Sequence, residues 1–316
     1  MSEKSASQKI STLGGFLAGG VAACGAVTFS NPVDLVKTRM QLQGELSKGG
    51  AVVYKNPVQA LGKIYELEGI RGLQKGLVAA YVYQIGLNGC RLGLYEPVRN
   101  ILNGVVFPNV EDPQKVQNIP INVVAGAVSG MAGAAVGSPL FLVKTRMQSY
   151  SPIAIGDQTH YKSVLDGLKQ LYAHGGFAKG LYKGVDAALI RTGMGSSVQL
   201  PIYNFAKHFI LDNKIITDAQ SPNLHLLSST ISGLGVALVM NPGDVILTRV
   251  YNQKGQAHYS GPVDCFVKIV KYEGVGALYK GFAAQLLRIC PHTILTLTFM
   301  EQTMKLVQGV EQKIFA

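Results

Sequence analysis

One motif of eight residues, present three times, limits what this chain can fold into more than any other feature. Its copies read PVDLVKTR at Pro32–Arg39, PLFLVKTR at Pro139–Arg146 and PGDVILTR at Pro242–Arg249. They start 107 residues (32 to 139) and 103 residues (139 to 242) apart. A fixed period of this length indicates tandem structural repeats. The 316 residues therefore predict three units, which we place at 10–108, 115–213 and 220–316.

Each motif copy follows a long run without charged side chains. Asp, Glu, Lys and Arg are absent between residues 9 and 34, 115 and 144, and 218 and 244. About 20 mainly apolar residues cross a bilayer as a helix. Small residues four apart, such as Gly126 and Gly130, let such helices pack closely in lipid. One such run also fits a core helix of a soluble protein, but three in register predict membrane spans.

A second element follows each motif and ends in Lys-Gly. It reads EGIRGLQKG at Glu68–Gly76, LYKG at Leu181–Gly184 and EGVGALYKG at Glu273–Gly281. Further apolar stretches follow it at 77–90, 192–206 and 289–300. Together with the runs that precede the motifs, these stretches predict six spans, two in each repeat.

Short amphipathic helices are predicted between the motif and the Lys-Gly turn. The first starts at Asn56-Pro57 and ends at about Leu67, and its copies start near Tyr161 and at Pro262. The second repeat departs from the other two in this region. It lacks the acid that precedes the first glycine of the second element, and it is one residue longer.

The tripled pattern Pro-x-[Asp/Glu]-x-x-[Lys/Arg]-x-[Lys/Arg], followed by [Asp/Glu]-Gly-x-x-x-x-[aromatic]-[Lys/Arg]-Gly, resembles the mitochondrial carrier family over nearly the whole chain. The resemblance implies an all-α membrane protein, with six transmembrane helices plus three short matrix helices in a pseudo-threefold carrier barrel. It further implies a multi-pass protein of the mitochondrial inner membrane, functional as a monomer, with both termini toward the intermembrane space.

The resemblance implies no cofactor, and cardiolipin is the expected bound lipid. Free N–H groups at helix N-termini bind phosphate. The short helices and the three Lys-Gly turns are therefore the expected headgroup sites, and plain capped surface helices are the alternative. The turns are Lys75-Gly76, Lys183-Gly184 and Lys280-Gly281.

The net charge of +11 raises the alternative of a soluble basic helical-repeat protein that binds nucleic acid. The charge distribution disfavours it, because 18 of the 29 Lys and Arg lie in 37–75, 144–183 and 249–280. Basic residues favour the non-translocated side of a membrane, here the matrix. The chain has no Walker loop, metal-ligand cluster or Ser-His-Asp arrangement, so neither an enzyme nor a metal site is expected. The expected partners are small anions and lipid, and no nucleic acid.

The charged motif positions predict a ring of ion pairs, a gate at the matrix end. If each acid reaches the basic position of a neighbouring motif, the ring can close in two directions. One direction strands two charges, because Asp34 then faces Leu247 and Phe141 faces Lys37. An unpaired charge out of water costs several kcal/mol, so the other direction is predicted. Its contacts are Asp34–Lys144, Asp244–Lys37 and Phe141–Leu247.

Two glutamines, Gln41 and Gln148, follow their prolines by nine residues and are predicted to brace these pairs, with Tyr251 at the third such position. The same reasoning at the far ends of the even-numbered spans predicts a cytoplasmic gate. Its contacts are Glu96–Lys207, Glu301–Arg99 and Asn204–Met304. We expect the two gates to form and break alternately, and static interhelical contacts are the alternative.

Three side chains, each seven residues after a Lys-Gly turn, are predicted to bind substrate: Tyr83, Arg191 and Arg288. At 1.5 Å per residue they lie roughly 10 Å into a hydrocarbon core of roughly 30 Å. Arginine at that depth marks a binding or permeation site by default, and guanidinium grips carboxylate or sulfate through two parallel bonds. Because no Asp or Glu is expected inside the spans to pair with them, the two arginines predict a dianionic substrate. Gln84 and Arg91 are further predicted contacts.

In the carriers that this chain resembles, the Arg191-Thr192 position sorts substrates, and Arg followed by Thr goes with carboxylates. The run RLGLY at Arg91–Tyr95 resembles the dicarboxylate and oxoglutarate branch. These resemblances imply a secondary transporter of oxaloacetate, sulfate, malonate-like dicarboxylates or isopropylmalate, with proton symport as an option. For that option His292 is the predicted coupling residue, and a purely structural histidine is the alternative. The rival transport functions are another dicarboxylate exchanger and an uncoupling-type proton conductor.

Overall fold

The computed structural model describes residues 12–45, 52–107, 118–153, 157–214, 216, 218, 221–253 and 258–315. All regular secondary structure in these ranges is helical. Six helices are long: α1 (Thr12–Leu42), α3 (Leu77–Val106), α4 (Ile119–Ser149), α6 (Val185–Asp212), α7 (Pro222–Asn252) and α9 (Phe282–Phe315). Three are shorter: α2 (Pro57–Leu73), α5 (Val164–Gly175) and α8 (Pro262–Tyr272).

The six long helices form a closed ring. The most extensive contacts join α1 to α9, α3 to α4 and α6 to α7, and further contacts join α1 to α3, α4 to α6 and α7 to α9. The three helices that carry the motif, α1, α4 and α7, also contact one another. These mutual contacts bring the three motif copies together, and the site described below lies between them.

The three Lys-Gly turns share one backbone conformation. Gly76, Gly184 and Gly281 directly precede α3, α6 and α9, and their φ angles are 76°, 75° and 78°. A positive φ is unfavourable for residues that carry a Cβ atom. A Cβ atom on Gly76 would also lie 3.2 Å from the Lys144 carbonyl oxygen, and one on Gly281 would lie 3.2 Å from that of Lys37. Glycine therefore lets each of these two turns pack against the motif helix of another repeat.

Two of the short helices start where the sequence predicts. In α2, the Asn56 side chain accepts a hydrogen bond from the Gln59 N–H at 2.8 Å, which caps a helix that begins at Pro57. The predicted end of this helix is close to Gly69, where a φ of 65° interrupts the helical conformation. Helix α8 begins at Pro262.

The predicted start of α5 was wrong by three residues. The helix begins at Val164 rather than near Tyr161. The Ser163 hydroxyl accepts a hydrogen bond from the Asp166 N–H at 3.1 Å, and the Asp166 carboxylate accepts one from the Lys162 N–H at 2.9 Å. This reciprocal cap satisfies free N–H groups on both sides of Ser163 and fixes the start of the helix.

Within the described ranges, two segments are long and apolar enough to cross a membrane by length and composition, Pro120–Ser149 in α4 and Leu227–Asn252 in α7. The other four long helices carry more polar or charged positions, such as Glu96 in α3 and Asp186 in α6. Large apolar side chains are nevertheless exposed on all six long helices, among them Phe29, Ile101, Val136, Phe205, Leu238 and Ile294. Exposed apolar surface on every helix of the ring fits contact with lipid.

Candidate functional site

A cavity of about 180 Å³ is lined by residues of the three motif helices. The predicted substrate contacts Tyr83, Gln84, Arg191 and Arg288 also line it. The predicted matrix-gate residues that line it are Asp34, Lys37, Gln41, Phe141, Lys144, Gln148, Asp244 and Leu247. In this conformation four of the predicted substrate contacts and the predicted matrix gate therefore share one cavity.

Two ion pairs join the motif helices at this cavity. Lys37 Nζ lies 2.6 Å from Asp244 Oδ2, and Lys144 Nζ lies 3.1 Å from Asp34 Oδ2. All four residues are buried. The ring thus closes in the direction that strands no charge, as the sequence predicts. The contacts link α1 to α7 and α4 to α1.

Both arginines are paired as well, and here the sequence prediction was wrong. Arg191 Nε contacts Asp244 Oδ1, and Arg288 Nε lies 2.6 Å from Asp34 Oδ1. We expected no carboxylate within reach, because no Asp or Glu was predicted inside the spans. Close packing of α6 on α7 and of α9 on α1 brings the arginine and the aspartate of each helix pair to one level. Each aspartate therefore bridges a lysine and an arginine.

The aspartate–arginine pair occurs twice around the ring, and aromatic residues occupy the third equivalent place. Phe141 stands where the other two motifs have aspartate, and Tyr83 stands where the other two repeats have arginine. Their ring centroids are 5.0 Å apart, and the Phe141 ring lies 5.8 Å from that of Tyr251. Phe141 and Leu247 belong to one apolar cluster. The motif of repeat two, which lacks the acid, thus faces the helix of repeat one, which lacks the arginine, and aromatic packing replaces the ion pair.

The charges of this cluster do not cancel. Four cations (Lys37, Lys144, Arg191 and Arg288) face two carboxylates, which leaves a net charge of +2. The two arginine side chains are 21% and 23% exposed, whereas their aspartate partners are 4% and 7% exposed. The arginines therefore present the excess charge to the cavity. A net charge of this size is unfavourable away from bulk water unless a counter-anion is present.

Hydrogen bonds between side chains also tie the motif helices together near the ion pairs. We predicted that the two glutamines brace the ion pairs, but their side-chain oxygens accept hydrogen bonds from threonines instead. The glutamines therefore join the helices directly. These bonds include Thr248 Oγ1 to Gln41 Oε1 at 2.9 Å, Thr38 Oγ1 to Gln148 Oε1 at 3.2 Å, and Ser138 Oγ to Tyr251 Oη at 2.7 Å.

Two predicted residues do not line the cavity. Thr192 Oγ1 donates to the Ala188 carbonyl oxygen on its own helix at 2.8 Å. His292 Nδ1 lies 3.1 Å from Ser30 Oγ and joins α9 to α1, which matches the structural alternative for this residue. A role of His292 in proton coupling stays a prediction. The side chain of Arg91 lies outside the described part of the chain.

The acids of the predicted cytoplasmic gate are paired within their own helices. Arg99 donates to Glu96 at 2.7 Å on α3, and Lys305 donates to Glu301 at 2.7 Å on α9. Among the described residues, these pairs stand in place of the predicted Glu96–Lys207 and Glu301–Arg99 pairs. Asn204, Lys207 and Met304 lie on α6 and α9. Among the described residues, the ion pairs that join one long helix to another lie at the predicted matrix gate.

A second layer of ion pairs lies beside the Lys-Gly turns of repeats one and three. Arg39 donates to both oxygens of Glu68 at 2.5 and 3.1 Å, and Lys75 contacts the same carboxylate. In repeat three, Arg249 and Lys280 contact Glu273 in the same manner. Each acid therefore ties the last arginine of a motif to the lysine of a Lys-Gly turn.

Replacing Glu68 by glutamine should destabilise the protein at pH 7 by about 3–5 kcal/mol, because Arg39 is fully buried and loses its charged partner. Burial raises the pKa of Glu68, but hydrogen bonds from Arg39 and Lys75 outweigh it and hold the pKa below the ordinary 4.5. A lowered pKa contributes stability above 4.5 that is lost as the pH falls. The difference in Tm from wild type should therefore shrink below pH 4.5.

The exposed Glu66 on the same helix provides the matched control for this comparison. Thermal unfolding of Glu66→Gln should resemble that of the wild type both at pH 7 and below pH 4.5. An equal loss of Tm in the two variants would contradict the role of the Glu68 ion pairs.

The geometry agrees with comparisons to known proteins. A family model described as "Mitochondrial carrier protein" matches residues 8–105, 115–214 and 218–311. The mitochondrial oxaloacetate transport protein of Saccharomyces cerevisiae is 62% identical over 313 residues, which cover 99% of this chain and 95% of the relative. The protein of the same name from Schizosaccharomyces pombe is 51% identical over 302 residues, covering 95% and 92%.

A further relative is named for a different substrate. The mitochondrial citrate transporter E of Aspergillus niger is 50% identical over 305 residues, which cover 96% of each chain. The three segments matched by the family model contain the three motif copies and the three Lys-Gly turns. The chain therefore belongs to the mitochondrial carrier family.

Proposed function

We propose that this protein is a secondary transporter of the mitochondrial inner membrane that moves small dianions, and that it is not an enzyme. The net charge of +2 at the central cavity carries the proposal, because one dianion neutralises it. Membership of the carrier family and the similarity to proteins named for oxaloacetate and citrate transport support the same class. The candidate substrates are oxaloacetate, sulfate, malonate-like dicarboxylates and isopropylmalate.

Binding of substrate is coupled to the matrix gate through the two aspartates. A dianion held between Arg191 and Arg288 takes over the guanidinium groups that now contact Asp244 and Asp34. Each aspartate then keeps only its lysine partner. A ligand shifts an equilibrium toward the conformation that it binds best. The exchange of partners therefore lowers the cost of separating the motif helices and lets the cavity open toward the matrix.

The opposite mouth closes as the matrix gate opens. Glu96 then exchanges Arg99 for Lys207, and Glu301 exchanges Lys305 for Arg99. Asn204 and Met304 form the third, uncharged contact of this cytoplasmic gate. Alternating access through one central site follows, and the conformation described above is the one that faces the intermembrane space.

The orientation in the membrane follows from the distribution of charge. The six long helices span the bilayer, with α2, α5 and α8 on the matrix side and both termini toward the intermembrane space. This places the segments rich in Lys and Arg on the non-translocated side. The protein works as a monomer, because the ring of six helices encloses the site on its own. Cardiolipin binds at the Lys-Gly turns.

A substrate panel on purified protein in proteoliposomes tests this proposal. We expect saturable uptake of oxaloacetate, sulfate and malonate with mutual competition, and little uptake of monoanions. Uptake with and without an imposed pH gradient or internal substrate separates symport from exchange. Preference for 2-oxoglutarate would favour another dicarboxylate exchanger, and proton flux without dianion dependence would favour an uncoupling-type conductor. Absence of saturable dianion uptake would overturn the proposal.

A further inference from the structure

Repeat two lacks an acidic side chain that the other two repeats carry at an equivalent position. Gly176 has φ 63° and ψ −156°, which matches Gly69 at 65° and −167° and Gly274 at 90° and 167°. These three glycines are therefore equivalent. The residue that precedes the glycine is a glutamate in repeats one and three, and it is Gly175 in repeat two. Gly175 thus occupies the position of an ion-pairing acid and offers no side chain.

Repeat two also contains an extra residue at this point. The equivalent glycine precedes the glycine of the Lys-Gly turn by seven residues in repeats one and three (69 to 76 and 274 to 281), and by eight in repeat two (176 to 184). A π-helical segment, Gly176–Leu181, accommodates the extra residue, and the Tyr182 N–H donates to the Phe177 carbonyl at 3.2 Å. Single π-helical turns are rare and are frequent at functional sites.

In the part of the chain that the structure describes, the two cations at this position, Arg146 and Lys183, have neutral hydrogen-bond partners. Arg146 is the counterpart of the glutamate-bound arginines in the other motifs. It donates to the Tyr251 carbonyl at 2.9 Å, the Tyr161 hydroxyl at 2.9 Å and the Gln253 carbonyl at 3.0 Å. Lys183 donates to the Gln253 carbonyl at 3.1 Å. No carboxylate in the described ranges lies within ion-pair distance of Arg146 or Lys183.

A cavity of about 400 Å³ lies beside Gly175. Arg146, Lys183 and Gly175 line it, and the exposed residues His174 and Lys179 add further positive or titratable groups at its edge. Burial and then Arg146 lower the pKa of Lys183, and the more distant Asp157 opposes this only in part. A lowered lysine pKa is the effect expected of burial beside a like charge.

We propose that this cavity binds an oxyanion of the phosphate type, which replaces the missing glutamate and bridges Arg146 and Lys183. Both side chains bind phosphate through charge-assisted hydrogen bonds. The anion is either free phosphate from the matrix or the phosphate of a lipid headgroup. The site is separate from the central cavity, because the two cavities share no described lining residue. Since Arg146 contacts Tyr251 in the last turn of α7 and Gln253 directly after it, the bound anion reinforces the contact between repeats two and three.

The first test measures the Tm of the purified full-length protein in detergent during titration with inorganic phosphate at constant ionic strength. Phosphate should stabilise the wild type. Lys183→Gln should raise the concentration for half-maximal stabilisation at least about tenfold, because it removes a charge-assisted hydrogen bond. Lys75→Gln is the matched control and should leave this concentration unchanged, since Lys75 is already paired with Glu68.

A second pair of variants tests the same cavity at an exposed position, in case Lys183→Gln fails to fold. His174 is exposed, so its replacement is tolerated without repacking. His174→Glu places a carboxylate at the edge of the cavity and should weaken phosphate binding, whereas His174→Gln should not. A carboxylate at Gly175 itself is a poor test, because a Cβ atom there would lie 2.6 Å from the Gly180 nitrogen.

A third experiment distinguishes a lipid headgroup from free phosphate. In it, cardiolipin or phosphatidic acid is added in detergent micelles. Stabilisation by lipid that depends on Lys183, together with a flat response to free phosphate, would assign the site to a headgroup. Stabilisation by free phosphate that depends on Lys183 would assign it to the soluble anion. The proposal fails if neither ligand effect depends on Lys183, or if Lys75→Gln changes phosphate binding as much as Lys183→Gln. The proposed transport of dianions does not depend on this site and would stand if the phosphate proposal failed.

Discussion

Replacing Arg288 or Arg191 by glutamine should reduce the initial rate of dianion uptake into proteoliposomes by about a hundredfold or more. Each guanidinium supplies one of the two excess charges at the cavity. A bound dianion that loses one of these two charged partners in a buried site binds more weakly by about 2–5 kcal/mol. The measurement is uptake of a labelled dianion from the panel at a concentration well below half-saturation. The loss should be greatest when both arginines are replaced.

The stability of these variants distinguishes a binding role from a structural one. After Arg288→Gln, Asp34 still contacts Lys144, and after Arg191→Gln, Asp244 still contacts Lys37. The Tm of each variant should therefore fall only slightly. Arg71→Gln on the exposed face of α2 provides the control for loss of one positive charge. Uptake that survives in both cavity variants would contradict the proposed substrate site.

Much of this site is readable from the sequence, because a threefold repeat constrains it. The spacing of the motifs predicts three units, and the cost of a stranded charge selects the pairing of Asp34 with Lys144 and of Asp244 with Lys37. The spacing after the Lys-Gly turns predicts the depth of the arginines. Each of these inferences needs only positions along one helix and the equivalence of the repeats.

The contacts that sequence reasoning missed depend on the relative height of neighbouring antiparallel helices. Whether Arg288 reaches Asp34 depends on how far α9 is displaced along α1, and no spacing within either segment specifies that displacement. One signal was available, because the chain has a single departure at each charged position: Tyr83 replaces the arginine in repeat one, and Phe141 replaces the aspartate in repeat two. A joint departure of this kind indicates contact, as it did for the matrix gate.

The aspartates should be the most sensitive residues of the site to substitution. Asp244→Asn leaves Lys37 and Arg191 without a carboxylate, and the loss of a buried partner costs about 3–5 kcal/mol. We therefore expect a large fall in Tm and a matrix gate that no longer holds closed. Lys37→Gln alone should cost less, because Asp244 keeps Arg191. The measurement is thermal unfolding in detergent for the single and double variants.

The double-mutant cycle also tests the direction of the ring. Asp244→Asn and Lys37→Gln should be strongly non-additive, with a coupling of about 1.5 kcal/mol or more, because their charged groups are 2.6 Å apart and buried. Asp244→Asn and Lys144→Gln should be additive to within about 0.5 kcal/mol, since Lys144 pairs with Asp34 instead. Phe141→Leu should change Tm little, because the third position holds no charge to strand. Equal coupling of Asp244 to both lysines would mean that the gate is a diffuse charge cluster without fixed pairs.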